Sequence, residues 1–428
     1  MDVLHPRCCG MDISKTDAKV CVRVQEGARV ATQVTTWGAT SSQILALGEH
    51  LVAERVSLVV MEATGDYWKP FLSLLCDAGL EVMLVNARSA RQIPGRKTDV
   101  ADAQWLAELG AHGLVRGSFV PPGHVRVLKD LVRTRTVVVR LRGEEAQRLD
   151  KVLESAGVKM STRISDITGV SGRRMLDALV AGQRDPAVLA SLADPRVKAS
   201  PEDLREALTG RFGDHHAFLA KVHLDLVDQY TVQVEALDAR IEACFVADDH
   251  DDEQTQQTKT GMAAARDLLA TVPGISTTTA EKVLAEIGPD MSVFPTAKHL
   301  TSWAGVAPGA NESAGKVRST RCRPGSTYLK GALGIAALAA SRTKDTFLAA
   351  RYRRVRSRRG HTRALVAVER SMLVAVWTVL TTGQPYTDLG GDYYTRRRPG
   401  RAIANAVAQL RAAGVDVTFT STNEAMVT

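Results

Sequence analysis

The run Cys9-Gly-Met-Asp-Ile13 is followed, after a short polar turn, by the alternating run Ala18-Lys-Val-Cys-Val-Arg-Val24. Two such runs around a tight turn predict a pair of antiparallel strands. Residues 28–37 predict a third strand, and residues 56–61, which are almost wholly apolar, predict a buried central strand. Asp12 lies inside the first run, where a charge is costly unless a cation or a hydrogen-bond donor meets it. The stretch therefore predicts a sheet that holds a stabilised carboxylate.

Helices alternate with strands over the rest of the first 118 residues. Residues 41–53, 67–77 and 100–109 have helical spacing, and residues 80–85 form another apolar strand. The resulting order is strand, strand, strand, helix, strand, helix, strand, helix. This is the α/β order of an RNase H-like domain, which the sequence therefore predicts here.

The remaining chain has mainly helical patterns. An apolar residue recurs every three or four positions over residues 125–153 and 216–244. This spacing predicts two long helices that pair with each other or with a second protomer. Residues 161–212 between them predict a less regular, partly helical stretch. Residues 248–260 contain no apolar residue and predict a disordered linker rather than a metal site.

The segment after this linker contains a helix-turn-helix pattern over 268–287, with the turn Val272-Pro-Gly-Ile-Ser276. It resembles a helix-hairpin-helix element, whose turn can offer N–H groups to a phosphate. An ordinary helical corner explains the same residues equally well. Further helices are predicted over 300–303, 328–341, 346–359 and 363–380, with one short helix in the tail beyond Pro385.

Length and composition limit the class of protein. The 428 residues are 45% hydrophobic and 24% charged, which suggests two or three domains. No unbroken apolar run reaches the ~18 residues needed to cross a bilayer, so no membrane is expected as a partner. Residues 1–7 lack an apolar signal core, which predicts a cytoplasmic protein. The six cysteines form no Cys-x-x-Cys pair, which favours buried free thiols over zinc or disulfides.

The formal net charge of +8 is concentrated in one region. Residues 314–371 hold fifteen Lys and Arg against two acidic residues, a net of +13, which leaves −5 for the remainder. A cationic region on a mildly acidic protein indicates a polyphosphate partner, and nucleic acid is the first candidate. A solvated helix face is the alternative.

Four acidic residues are candidate metal ligands. Glu62 ends the buried strand, which lies beside the first strand in an RNase H-like order, and Asp99 and Asp102 share one face of a helix start. Together with Asp12 they would converge and require cations. Mg²⁺ takes such hard oxygen ligands, and two ions ~3.5 to 4 Å apart serve phosphodiester displacement. Taken singly, Asp99 also fits a helix cap, Asp102 an acid in the first turn of a helix and Glu62 the end of a strand.

Five sequence blocks occur in an order known from one family. They are Gly10-Met-Asp12-Ile-Ser-Lys, Met61-Glu62-Ala-Thr-Gly65, Lys97-Thr-Asp99-Val-Ala-Asp102-Ala, Val272-Pro-Gly-Ile, and Ala304-Gly-Val-Ala-Pro308 followed by Glu312-Ser313. The blocks resemble the DEDD transposases of insertion-sequence family 110, which are also called bridge-RNA-guided recombinases. The resemblance covers about residues 8–118 and 265–388.

The resemblance implies a domain organisation of α/β plus α type. Residues 1–118 would form the RuvC-like DEDD catalytic domain, and residues 119–260 a coiled-coil connector that ends in the acidic linker. Residues 261–388 would form the helical transposase domain with the serine and the basic surface, and residues 389–428 a tail.

The resemblance also implies the catalytic residues. Asp12, Glu62, Asp99 and Asp102 would hold Mg²⁺, and Ser313 would be the nucleophile of a transesterification through a phosphoserine link. The sequence Glu312-Ser313-Ala314-Gly315 departs from a direct Ser-Gly pair. Without the family, Ser313 does not stand out, although a Gly-rich loop leads from it into basic residues.

The partners implied are DNA, as element ends and target, and a noncoding bridge RNA whose base pairing selects the sites. A homo-oligomer, dimer or tetramer, is expected from the long helices, and a bacterial protein of this kind would associate with the nucleoid. The candidate nucleic-acid contacts are Arg88, Arg91, Arg96, Lys97, Lys316, Arg318, Arg321, Arg323, Arg351, Arg353, Arg354, Arg356, Arg358, Arg359 and Arg363.

Three other functions fit parts of the sequence. In a hydrolytic nuclease or junction resolvase, the same carboxylates activate water and Ser313 has no role. A sugar-kinase or actin-like ATPase also begins with an acid in a strand hairpin, but here Ile-Ser-Lys replaces a Gly-rich phosphate turn. A non-catalytic nucleic-acid scaffold would need none of the carboxylates.

Overall fold

A computed structural model describes residues 3–63, 65–86, 99–251, 261–309, 311–313 and 315–418. The chain divides into two compact units at Val120 and Pro121, and each unit is described by itself.

The first unit contains a five-stranded mixed sheet in the order β3-β2-β1-β4-β5. β1 pairs antiparallel with β2, and β2 with β3, whereas β1, β4 and β5 are parallel. The elements are β1 (Arg7–Ile13), β2 (Asp17–Glu26), β3 (Arg29–Gly38), α1 (Ser41–Ala53), β4 (Leu58–Glu62), α2 (Trp68–Asp77), β5 (Val82–Val85) and α3 (Asp99–Ala111). This order confirms the predicted RNase H-like topology.

Helices cover both faces of the sheet. On one face of the sheet, Met11 of β1 and Met61 of β4 form a core with Leu47 of α1 and Phe71 of α2. The opposite face carries a smaller core, in which Leu106 of α3 packs with the strand residues. Burial on both faces explains why β4 is an apolar run rather than an alternating one.

The second unit is mainly helical. Its helices are α4 (Gly123–Ser155), α5 (Val170–Val180), α6 (Pro186–Ser191), α7 (Pro201–Leu208), α8 (Asp214–Asp251), α9 (Met262–Ala270), α10 (Thr277–Ile287), α11 (Ala297–Trp303), α12 (Thr327–Arg342), α13 (Phe347–Arg359), α14 (His361–Thr382), α15 (Tyr393–Arg397) and α16 (Pro399–Ala412). One hairpin, β6 (Asn311–Ser313) and β7 (Lys316–Ser319), interrupts them.

The two longest helices, α4 and α8, pack along each other, and α5 to α7 cover one end of the pair around Leu149, Leu224 and neighbouring residues. A long amphipathic helix can bury its stripe only against such a partner.

Buried ion pairs join α4 to α10 and α12. Arg133 of α4 donates from Nε to Oε1 of Glu286 at 2.7 Å and from a terminal nitrogen to Oε2 at 3.0 Å. Glu286, only 2% exposed, also lies 3.4 Å from Nζ of Lys129 and accepts from the hydroxyl of Ser326, the N-cap of α12. One carboxylate therefore binds groups from two neighbouring helices.

The turn between α9 and α10 packs against α12. Gly274 has φ +89°, and a Cβ there would lie 2.4 Å from the carbonyl oxygen of Ala336. The glycine is thus required by backbone conformation and by close packing. Ser276 already caps α10 by accepting from the N–H of Thr279. The two helices and their turn lie where the sequence predicted them, and a role of the turn in phosphate binding stays a prediction.

Several sequence predictions are corrected. The polar residues 248–251 continue α8 rather than belonging to a linker, and residues 252–260 lie outside the described residues. A helix already nucleated extends through polar residues at little cost. The tail forms two helices, α15 and α16, because Pro399 starts a new helix at its first position.

The prediction of buried cysteines is right for three of the six. Cys8, Cys9 and Cys21 are buried, and burial raises the pKa of the Cys8 thiol to about 12. Cys76 is exposed, because it lies on the outer side of α2, and Cys244 and Cys322 are half-buried.

Among the described residues, α14 is long and apolar enough to cross a membrane by length and composition. Its residues Val368, Met372 and Val376 are fully buried, and it packs against α11, α12 and α13. These contacts are those of a core helix.

Candidate active site

Asp12 and Glu62 lie at matching positions of two neighbouring parallel strands. The last paired positions of β1 and β4 are Met11 and Met61, and the two carboxylates are the next residues of both strands. Neighbouring strands are ~4.8 Å apart, and equivalent positions of parallel strands face the same side. Both side chains are half-buried. The β-register therefore brings two of the four predicted carboxylates together. Asp12 lies near the carboxyl end of β1 rather than in its middle.

Helix α3 covers the same side of the sheet. A Cβ at Gly110 would lie 2.7 Å from Sγ of Cys8, and a Cβ at Gly10 would lie 2.2 Å from the carbonyl oxygen of Ala103. Cys8 thus lies near the end of α3, and Gly10, two residues later, lies near its beginning. The helix therefore runs antiparallel to β1. Its first turn is directed toward the strand end that carries Asp12.

Asp99 and Asp102 lie in this first turn of α3. Asp99 is exposed and Asp102 is half-buried. Acidic side chains are favourable near the positive end of a helix, which explains their position without any ligand. The gathering of all four carboxylates around one point stays a prediction.

The chemistry of these side chains fits a hard divalent cation, since all four supply carboxylate oxygens and no sulfur or imidazole is among them. In the portion of the chain that the structure describes, no group of three or more His, Cys, Asp or Glu side chains is arranged to hold a metal ion. The predicted Mg²⁺ ligands therefore remain a proposal.

Ser313 is the last residue of β6 and pairs with Lys316 of β7. It thus lies at the closed end of a hairpin rather than in a Gly-rich loop. Gly315, in the two-residue connection, has φ +73°, a conformation that favours glycine. Ala314, which separates the serine from the glycine in sequence, lies outside the described residues.

Glycines allow close backbone packing between the segments that precede and follow this hairpin. A Cβ at Gly309 would lie 2.4 Å from the carbonyl oxygen of Arg321, and a Cβ at Gly325 would lie 2.2 Å from that of Ala304. Gly305, with φ +70°, makes an equally close approach to Arg323. The glycines therefore allow the backbone of residues 304–309 to pack closely against that of residues 321–325.

Most of the predicted nucleic-acid contacts that are described are exposed. Arg351 differs, because it is half-buried and donates to the carbonyl of Ala367 and to the hydroxyl of Tyr394. Arg88, Arg91, Arg96 and Lys97 lie outside the described residues. The exposed ones are Lys316, Arg318, Arg321, Arg323, Arg353, Arg354, Arg356, Arg358, Arg359 and Arg363.

Sequence reasoning did not assign a role to two arginines of the tail, Arg398 and Arg401. They line a cleft together with Arg354 and Arg358 of α13. The run Arg396 to Arg398 was the available signal, but the packing of the tail on α13 is a long-range contact that no local pattern reveals.

Comparisons with known proteins place two regions of the chain in transposase families. Residues 9–157 match the DEDD transposase family of IS110, described as "Transposase". Residues 266–353 match the family described as "Transposase IS116/IS110/IS902 family". The two matched regions define the class of protein as a transposase of an insertion sequence.

More narrowly, the chain belongs to the IS110 family. It is 33% identical over 121 residues to the "Insertion element IS110 uncharacterized 43.6 kDa protein" of Streptomyces coelicolor. This match spans 28% of the chain and 29% of the length of that curated relative. A solved structure of RuvC from Thermus thermophilus has 14% identity and a TM-score of 0.22, and the match covers 26% of this chain and 99% of that one.

Proposed function

We propose that this protein cleaves and rejoins DNA as the transposase of an insertion sequence, by serine transesterification that depends on Mg²⁺. The observation that carries the proposal is the matching position of Asp12 and Glu62 on adjacent parallel strands. Two half-buried carboxylates at matching positions of neighbouring strands supply oxygen ligands from one side of the sheet, and a divalent cation shared by both would relieve their mutual repulsion. Family membership favours the cation.

Asp12, Glu62, Asp99 and Asp102 would hold the ions. Bound Mg²⁺ supplies charge stabilisation at the oxygens of the scissile phosphate. The parts of the protein have separate tasks: β1 and β4 fix two ligands rigidly, and α3 adds two from its first turn. The close contact at Gly10 sets the height of that helix above the sheet.

Ser313 would attack the phosphorus through its Oγ and lose its proton. The new phosphoserine bond replaces one phosphodiester bond, and the departing DNA oxygen takes up a proton. Because one ester replaces another, the reverse attack by a DNA hydroxyl rejoins strands without ATP. The exposed residues Lys316 and Arg318 beside the hairpin end are suited to hold the phosphate.

Selection of DNA sites by a noncoding bridge RNA, and assembly into a dimer or tetramer, belong to the same proposal. Base pairing would supply sequence choice, so the protein needs mainly backbone contacts. The exposed arginines of α13 suit such contacts.

The test is a covalent protein–DNA adduct. Purified protein is incubated with Mg²⁺, element-end DNA and RNA from the flanking noncoding region, then denatured and separated. We expect an adduct with the wild type and with Ser319→Ala, a control in the same hairpin, but none with Ser313→Ala. Cleavage without an adduct would favour the hydrolytic nuclease and contradict the serine mechanism.

A further inference from the structure

A cleft of about 300 Å³ lies between α13 and the two tail helices α15 and α16. Four arginines line it, and none of its lining residues is acidic. Arg354 and Arg358 come from α13, while Arg398 and Arg401 come from the tail. Four exposed guanidinium groups around one cleft concentrate positive charge there, which favours the binding of an anion.

The cleft is held in shape by Tyr394 of α15. The guanidinium carbon of Arg354 lies 4.5 Å from the centre of the Tyr394 ring, and Phe347 stacks on this ring at 5.8 Å. Arg351 donates to the Tyr394 hydroxyl at 3.2 Å. The tail is therefore fastened to α13 by aromatic and cation–π contacts, and Arg354 is oriented before any ligand arrives.

The other lining side chains are small or neutral polar groups. The amide of Asn405 can donate to phosphate oxygens, and the hydroxyl of Ser357 donates to the carbonyl of Arg354 within α13. Neither side chain carries a charge that would compete with the arginines. The donors of an arginine fork can bind two oxygens of one phosphate or carboxylate at once. The lining is thus suited to an anion with several oxygens, and a chain of phosphodiesters could contact all four arginines.

We propose that this cleft binds a single strand of DNA through its phosphates. The choice of DNA rests on the proposed function, because strand cleavage and exchange expose single-stranded ends. Positively charged grooves that follow one backbone are the usual form of such sites. The aromatic ring here is already stacked on both neighbours, so bases do not stack on it and the site has no base preference.

The experiment measures anisotropy of a labelled oligothymidylate of about 20 nucleotides, longer than one site. The full chain carries Asp12→Asn so that the DNA stays intact. Each lost phosphate contact lowers the salt slope by ~0.7 for a single strand. For Arg398→Ala with Arg401→Ala we expect a slope smaller by about 1.4 and, at 0.1 M salt, about 25-fold weaker binding.

The matched control is Arg397→Ala with Arg411→Ala. Both residues are exposed, Arg397 ends α15 and Arg411 lies on α16, and neither is among the residues that line the cleft. This pair changes the net charge equally and should leave the slope near that of the wild type. Arg398→Lys with Arg401→Lys should restore the salt slope, which depends on charge, but only part of the affinity, because lysine cannot bind two phosphate oxygens in the manner of an arginine fork. An equal loss of affinity in the control pair would show that the effect comes from net charge alone, and it would overturn the proposed binding site.

Two further arms separate the ligands. An unchanged affinity for oligothymidylate, with loss confined to single-stranded RNA or to duplex DNA, would overturn the proposal. The adduct assay, run on the same variants with Asp12 intact, keeps this result separate from the proposed function. If the wild type forms no adduct but the Arg398→Ala, Arg401→Ala variant still has the smaller salt slope, the proposed transposase chemistry is contradicted and the proposed DNA-binding cleft is supported.

Discussion

Gly10 is the residue at which the sheet and α3 approach most closely. An added Cβ would meet backbone atoms of Ala103 and Ala107 at 2.2 and 2.3 Å, and backbone cannot rotate away as a side chain can. The glycine of the first sequence block therefore has a packing role. It fixes the distance between the carboxylates of the sheet and those of the helix.

We expect Gly10→Ala to destabilise the first unit by about 1–3 kcal/mol, the usual cost of overpacking. Transposition activity should fall further than stability alone explains, because α3 moves away from Asp12. Thermal unfolding and the adduct assay below the unfolding temperature measure the two effects.

The control for this substitution is Gly143→Ala. Nothing lies within 4 Å of a Cβ at Gly143, which is inside α4. Alanine in an exposed helix interior should stabilise by roughly 0.5–1 kcal/mol and leave activity unchanged. Normal activity in Gly10→Ala would contradict the packing role.

At the scale of elements, α4 is tied to α10 through Glu286. Burial alone would raise the pKa of this carboxyl, but Arg133 and then Lys129 hold it below its ordinary value. The two cations are not equivalent. Burial lowers the pKa of Lys129 despite the charge of Glu286, so Arg133, which makes two hydrogen bonds, is the stronger partner.

Glu286→Gln should destabilise the second unit by about 2–3 kcal/mol near neutral pH, because it leaves two cations facing a neutral group. The lowered folded pKa means that the carboxylate stabilises above its ordinary pKa of 4.5 and that this contribution is lost as the pH falls. The difference between wild type and variant should therefore shrink below pH 4.5. Urea unfolding from pH 7 to pH 3 measures it.

A smaller effect is expected for Glu144→Gln, which removes an exposed partner of Arg140 and Arg148 on the same helix. If the difference caused by Glu286→Gln does not change with pH, the ion pair is not its source.

The elements show which parts of the fold follow from local sequence. The strand order was predicted because alternating β2 and apolar β4 have distinct local patterns. The tail helices and the close approach of Gly274 to α12 were not, since both depend on contacts between residues far apart in sequence. Ser313 was found through family resemblance only, and its place at a hairpin end follows from a pairing with Lys316 that no periodicity indicates.

The candidate site divides in the same way. The positions of Asp12 and Glu62 could be predicted, because each residue directly follows its strand's last paired residue, and the two strands are parallel neighbours. The cleft of Arg354 and Arg398 could not, because it forms only when the tail folds back on α13.

For the whole molecule, the account depends on carboxylates from β1, β4 and α3 that bind divalent ions. The most direct measurement is binding of Mn²⁺ to the full chain without DNA, by electron paramagnetic resonance or calorimetry. Mn²⁺ takes the same oxygen ligands as Mg²⁺. Asp17→Asn is the control, because Asp17 starts the neighbouring strand and bonds to Ser14 and Lys19 instead. We predict that Asp12→Asn and Glu62→Gln each weaken Mn²⁺ binding at least about tenfold, while Asp17→Asn leaves it unchanged. Equal Mn²⁺ affinity in the wild type and in all three variants would contradict the account.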